Sequence, residues 1–173
     1  MRELPEPENA GDAKALADIA EHGWHVLKVS AFGESPEWAY SLGLFHNFGH
    51  PEIAIFGLPL DRMHAIVNVI GDLIRSGVRL PDDSSSTDVL EGYACEFRGI
   101  RKVWYAPFFG RAMWLYRGSD FPMVQCLWPD RDGHSPRASA CSSAIQALQP
   151  LLEFDSQEEA HASEFLTWTK RDA

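Results

Sequence analysis

Two imidazoles and a carboxylate fall within one short stretch, His46-Asn47-Phe48-Gly49-His50-Pro51-Glu52. Histidine nitrogens and a glutamate oxygen suit zinc or iron, so His46, His50 and Glu52 are candidate ligands for a divalent metal. Gly49 and Pro51 weigh against that, because they imply a loop where helical zinc motifs hold two histidines on a rigid face. The plainer reading is a turn in which His50 bonds loop backbone and Glu52 caps an exposed end. Further along, Trp128-Pro129-Asp130 sets a carboxyl beside an indole. In an apolar cleft that carboxyl would have a raised pKa and could act as general acid or base. The alternative has Trp128 covering a sheet end while Asp130 caps the turn before Gly133.

Complete catalytic sets are harder to assemble. Trp-Pro-Asp is the motif of the general-acid loop of tyrosine phosphatases, but that chemistry needs a cysteine followed six residues later by arginine. Position 132, six after Cys126, is Asp, and Cys95 and Cys141 fail likewise. Gly33-Glu34-Ser35-Pro36-Glu37 and Gly133-His134-Ser135-Pro136-Arg137 lack the closing glycine of a nucleophile elbow, and neither a Walker loop nor G-x-G-x-x-G occurs. Cys95 and Cys126 fall inside predicted strands, where an apolar setting keeps a thiol inert, which leaves Cys141, at a loop-to-helix junction, as the candidate reactive thiol.

The elements that must position these residues can be read from periodicity. Residues 1–11 are expected as a disordered tail, and Asp12 to His22 as a short helix ended by Gly23. Trp24 to Val29 and Trp38 to Leu44 read as a hairpin of strands. In the second strand Trp38, Tyr40, Leu42 and Leu44 share one face, while Ala39, Ser41 and Gly43 leave the other nearly bare. A bare face admits a helix, another backbone or a flat ligand. If it admits a flavin, the isoalloxazine ring would lie over Ser41 and Gly43, with arginines on its phosphate. Ile53 to Leu58, apolar throughout, is the expected sheet centre.

Asp61 to Ser76 carries the clearest helical stripe, with Asp61 as N-cap and Gly77 as terminator. Arg79 to Val89, with Pro81-Asp82-Asp83-Ser84-Ser85-Ser86, reads as a mobile loop. Tyr93 to Phe97 is a further strand. Val103 to Tyr116 is expected as one aromatic helix, its aromatics mainly core. Met123 to Leu127 is a strand, Ser142 to Leu152 a helix with Ile145, Leu148 and Leu152 inward, and Ser156-Gln157-Glu158-Glu159 a capping box opening a last helix. The order predicts an α+β fold: a mainly antiparallel sheet of about five strands, open or partly closed into a barrel, with helices packed on it. Residues 12–155 form one domain, and 156–173 a C-terminal helix or tail.

A formal net charge of -10 repels a phosphate backbone and argues against nucleic acid as a partner. The gathering of Arg98, Arg101, Lys102, Arg111 and Arg117 is either a solvated face or a small basic patch for a carboxylate or phosphate. Three cysteines without a C-x-x-C pair suit a reducing cytosol. A polar, acidic N-terminus and the lack of a long apolar run predict a cytoplasmic protein that neither spans nor enters a membrane.

Several short pieces follow one another along the chain: Gly23-Trp24, Trp38 to Leu44, Gly49-His50-Pro51-Glu52, Glu91-Gly92-Tyr93, Trp104-Tyr105, Phe121-Pro122, Gln125, Trp128-Pro129-Asp130 and Leu148-Gln149-Pro150-Leu151-Leu152. Together they resemble the family called domain of unknown function 4262. The chain departs from that pattern between His134 and Cys141, where the family places an aromatic and a second tryptophan around the proline. The resemblance implies a fold and a set of positions, but no catalytic residue. From the residues themselves, Tyr40, His50, Glu52, Trp104, Tyr105, Trp128 and Asp130 are expected to line one recognition cleft for a small molecule or protein. The alternatives are a flavin carrier using Ser41 and Gly43, and a metal-dependent hydrolase using His46, His50, Glu52 and Asp130.

Overall fold

The structure is a computed structural model that describes residues 3–33 and 35–155. The expected capping box and last helix from Ser156 onward lie outside the described residues. In chain order the elements are α1 (Ala10–His22), β1 (His25–Val29), β2 (Trp38–Leu42), α2 (Leu44–Phe48), β3 (Glu52–Phe56), α3 (Leu60–Arg75), β4 (Ser84–Leu90) and β5 (Tyr93–Gly99). A 3-10 turn (Lys102–Trp104), α4 (Tyr105–Phe108), α5 (Gly110–Tyr116), β6 (Met123–Leu127) and α6 (Ser143–Leu148) follow.

The fold is α+β, as expected, but the sheet has six strands in the order β1-β2-β3-β6-β5-β4 and stays open. It is also mixed: β3 and β6 pair in parallel, and the four other pairings are antiparallel. The extra strand is β4, in the segment expected as a mobile loop. It pairs with β5 across the Glu91-Gly92 turn, where Gly92 takes φ +79°. Its serines hid it, because an edge strand open to water carries polar side chains on both faces and loses the alternation that marks a half-buried strand.

Helices cover both faces. The bulky face of β2, Trp38, Tyr40 and Leu42, joins Ala54, Phe56, Met123 and Leu127 under α1, α4 and α5. Aromatic pairs knit this layer: Trp38 stacks on Phe56 at 5.9 Å between ring centroids, and Tyr40 meets Phe109 edge-on at 5.2 Å. The aromatic stripe is therefore core, although it is not one helix. The chain leaves helical geometry at Phe109 (φ -127°, ψ 37°), which separates α4 from α5. On the opposite face Met63, Ile66, Val67, Ile70 and Ile74 of α3 pack on Ala39, Ile53, Ile55, Val124 and Cys126. The bare face of β2 thus accepts a helix, whose buried Gly71 lies flush against Trp24.

Several boundaries differ from expectation. Helix α1 begins at Ala10 on an Asn9 cap, two residues before the expected start at Asp12, and Leu4 packs against the core. Pro59, not Asp61, precedes α3. Helix α6 stops at Leu148, since Pro150 cannot continue it; Leu148 is exposed, and Leu152 is buried in the segment beyond.

Candidate functional site

Glu52 opens β3 and has no exposed surface. Its Oε1 accepts the N–H of Gly43 at 2.8 Å, the N–H of Phe45 at 3.2 Å and the Tyr116 hydroxyl, while its Oε2 accepts the Ser41 hydroxyl. Helix α2 has no side-chain cap of its own, so Glu52 caps it from another strand. Burial pushes the Glu52 pKa up, against the downward pull of its hydrogen bonds to Ser41, Tyr116, Phe45 and Gly43. Burial, and then the Glu52 carboxyl, keeps the Tyr116 phenol protonated.

The rest of this motif is consumed in the same way. His50 is buried; its Nδ1 donates to the Pro51 carbonyl at 2.7 Å and its Nε2 accepts the Leu80 N–H at 3.0 Å. Both ring nitrogens are occupied, and burial lowers the His50 pKa against the raising pull of the Pro51 carbonyl. Asn47 donates to the carbonyls of Ile19 and Gly23 at the end of α1. Gly43 takes φ +110°, where an added Cβ would lie 2.9 Å from Ile19. With Ser41 bonded to Glu52, Gly43 pressed on α1 and α3 over the neighbouring face, no opening remains for a flavin ring, which corrects the expectation of a ring over Ser41 and Gly43.

The expected single cleft does not form. Because β3 and β6 run parallel with Glu52 beside Met123, Glu52 lies at their N-terminal end and Trp128 beyond their C-terminal end. The Trp128 indole donates to the Phe56 carbonyl at 2.7 Å, fixing it at that far end. One strand length, about 13 Å, separates the two groups. Tyr40 is buried in the sheet's aromatic layer, the Trp104 indole donates to the Phe154 carbonyl, and the Tyr105 hydroxyl donates to the Phe121 carbonyl. The hydrolase set His46, His50, Glu52 and Asp130 is likewise divided between the two ends. Of the gathered cations, Arg98, Arg101 and Arg111 pair with Asp83, Asp155 and Asp12 respectively.

At the C-terminal end of β3 and β6 lies a cleft of about 830 Å³. Trp128 and Pro129 line it together with Leu58, Tyr93 and Ile145, and Arg62, Glu91, Arg131 and Asp132 bring charge to it. Asp130 locks the loop that forms one wall. Its Oδ1 accepts the N–H groups of Asp132 and His134 at 3.0 and 2.9 Å, and its Oδ2 accepts the Ser142 N–H at 3.1 Å and faces the His134 ring at 3.4 Å. Partial desolvation raises its pKa, but these bonds, led by the His134 N–H, outweigh that and hold it at about 2. Asp130 therefore caps the turn before Gly133, and a lowered pKa does not suit a general acid. Burial, and then Asp130, raises the pKa of Cys141, so this thiol is no activated nucleophile.

A family model for a domain of unknown function, DUF4262, matches residues 18–142. The chain belongs to this family. No curated protein and no solved structure matches it. The DUF4262 segment carries both ends of the sheet, the capped Glu52 and the Trp128-Pro129-Asp130 wall of the cleft, and it stops just short of Ile145.

Among the described residues, the side chains of Asp130, Asp132 and His134 bring one donor atom each to within 4.8 Å of one another. This trio is distinct from His46, His50 and Glu52. It does not fit a metal as it stands, because Asp130 already accepts from both sides and the His134 Nδ1 faces it. The sequence does not mark Arg62, Arg131 and Asp132 as site residues, and Glu91 and Tyr93 enter it only as part of the family pattern. The available signals were the charged turn Asp130-Arg131-Asp132-Gly133 after a buried strand and the tight turn before Tyr93.

Proposed function

We propose that this DUF4262 domain is a non-enzymatic ligand-binding module whose recognition site is the cleft beyond the C-terminal ends of β3 and β6. The cleft itself carries this reading. Its volume of about 830 Å³ falls in the range of small-molecule sites, about 300–1,000 Å³. Open sheets with parallel strands take ligands in the crevice outside their carboxyl ends, an analogy of architecture that supports the location. Asp130 gives the wall a fixed backbone, so little ordering accompanies binding. The hydroxyls lining the cleft belong to Tyr93, which donates to the Arg131 carbonyl, and Ser142; neither bonds a histidine among the described residues. Such a site selects and holds without an activated nucleophile.

The surroundings agree with a small molecule as partner. The net charge of -10 disfavours nucleic acid. No helix of the described residues is long and apolar enough to cross a membrane, and the three cysteines are free thiols, which suits the reducing cytoplasm.

The test is a thermal-shift screen against a metabolite library, repeated on Ile145→Trp, which fills the cleft from α6. Hits should raise the melting temperature of the natural protein and lose that effect in the variant. Compounds that stabilise both equally bind elsewhere and defeat the assignment, and chemical conversion of a hit would make the domain an enzyme.

A further inference from the structure

Resting on that reading of the cleft, we infer that its ligand is a zwitterion of the amino-acid type with an apolar side chain, of about dipeptide size. The inference comes from how the charges are disposed. Arg75, Arg98, Arg101, Arg111 and Arg137 each lie against a carboxylate. Arg62 and Arg131 line the cleft and pair with no carboxylate among the described residues. Glu91 and Asp132 line the same cleft and form no ion pair with a lysine or arginine among the described residues. Asp130 does not count with them, since its charge is taken up by the loop N–H groups and the His134 ring.

Two cations and two anions therefore line one cleft, and among the described residues no ion pair joins them. Apolar groups share the lining: Leu58, Trp128 and Ile145, with the half-open ring of Tyr93. An acid without a basic group would meet Glu91 and Asp132 unfavourably, and an amine without an acid would meet Arg62 and Arg131. A ligand carrying both groups satisfies both pairs. Guanidinium forks suit its carboxylate, the carboxylates suit its ammonium, and the apolar lining takes its side chain. The opening is larger than one free amino acid would fill, which favours two residues over one.

Three probes with one body separate the charge requirement from the site itself: the dipeptide phenylalanyl-leucine, its N-acetyl form lacking the ammonium, and its C-terminal amide lacking the carboxylate. Binding is read by NMR titration, following the amides of Tyr93, Asp132 and Ser142. The free dipeptide should bind at least about tenfold more tightly than either blocked form. Arg62→Gln with Arg131→Gln should weaken the dipeptide and the N-acetyl form and spare the amide. Glu91→Gln with Asp132→Asn should weaken the dipeptide and the amide and spare the N-acetyl form. All four side chains are exposed, so these variants keep the fold. Blocked forms that bind as well as the dipeptide, or cleft amides that none of the probes moves, overturn the ligand class. If library compounds still shift those amides, the cleft survives as a binding site; if they do not, both readings fall.

Discussion

The Tyr116 hydroxyl donates to the same Glu52 oxygen that accepts the Gly43 N–H, so one buried carboxylate joins α5, β3 and the entry to α2. Glu52 is therefore a structural hub, and its removal should cost more than any one of its bonds. Glu52→Ala leaves four donors unpaired, three of them buried, and is expected to lose about 3–5 kcal/mol, the range for breaking a buried charged network. Tyr116→Phe removes one charge-assisted bond and should lose about 1.5–3 kcal/mol. Urea unfolding of both variants checks this; a loss below the Tyr116→Phe value for Glu52→Ala would contradict the hub.

The same network and its neighbour His50 predict opposite pH trends. Burial raises the pKa of Glu52 above its ordinary 4.5, so its contribution is full below that value and is lost as pH rises through the folded-state pKa. Burial lowers the pKa of His50 below its ordinary 6.5, so its contribution is full above that value and is lost as pH falls through the folded-state pKa. Glu52→Gln should remove the first trend and leave a protein whose stability climbs with pH towards neutrality. Denaturation midpoints taken from pH 4 to 8 give the comparison, and identical profiles for variant and natural protein would refute the assignment to Glu52.

Gly71 reverses an ordinary rule. Glycine to alanine inside a helix usually gains about 0.5–1 kcal/mol. Here the new Cβ would sit 2.4 Å from the Trp24 ring, which is itself held by an indole bond to Asn68 at 2.9 Å. Gly71→Ala should destabilise by about 1–3 kcal/mol, the usual cost of overpacking. A melting temperature at or above that of the natural protein would show that α3 can move away from β1.

The thiols should be silent. Cys95, Cys126 and Cys141 are buried, a Cys95 contact and burial raise the pKa of Cys126 well above the usual thiol value, and burial raises that of Cys141. A thiol reagent at pH 8 should label none of the three in the native protein and all three in denaturant. Rapid labelling of Cys141 in the native state would mean that the loop anchored by Asp130 opens.

Much of this was legible in the residues. The apolar run of β3 marked the sheet centre, the stripe of α3 gave its buried face, and the bare side of β2 anticipated a close helix. Asp130 before Gly133 pointed to a capped turn. What stayed hidden depends on partners far along the chain. Nothing local to His50 announces that Leu80 will donate to it, or that Tyr116 will reach Glu52 across 64 residues. Polar side chains clustered in one motif therefore read as chemistry when they are hydrogen-bonded architecture. Of the cleft only the Trp128-Pro129-Asp130 wall was marked, since the other walls come from the segment after β3, the β4–β5 turn and α6. The parallel pairing of β3 with β6, invisible to periodicity, sent the two polar groups to opposite ends.

The Gln149 side chain pairs with the backbone of Trp128 on both sides, accepting its N–H at 2.9 Å and donating to its carbonyl at 2.7 Å. Gln125 does the reciprocal, donating to the Pro150 carbonyl and accepting the Leu152 N–H. An expression boundary drawn at residue 142, where the family match ends, would strip these amide partners from the central strand and expose the apolar surface that Leu151 and Leu152 cover. A boundary at Leu152 or beyond, ten residues past the shared segment, keeps both sets of bonds.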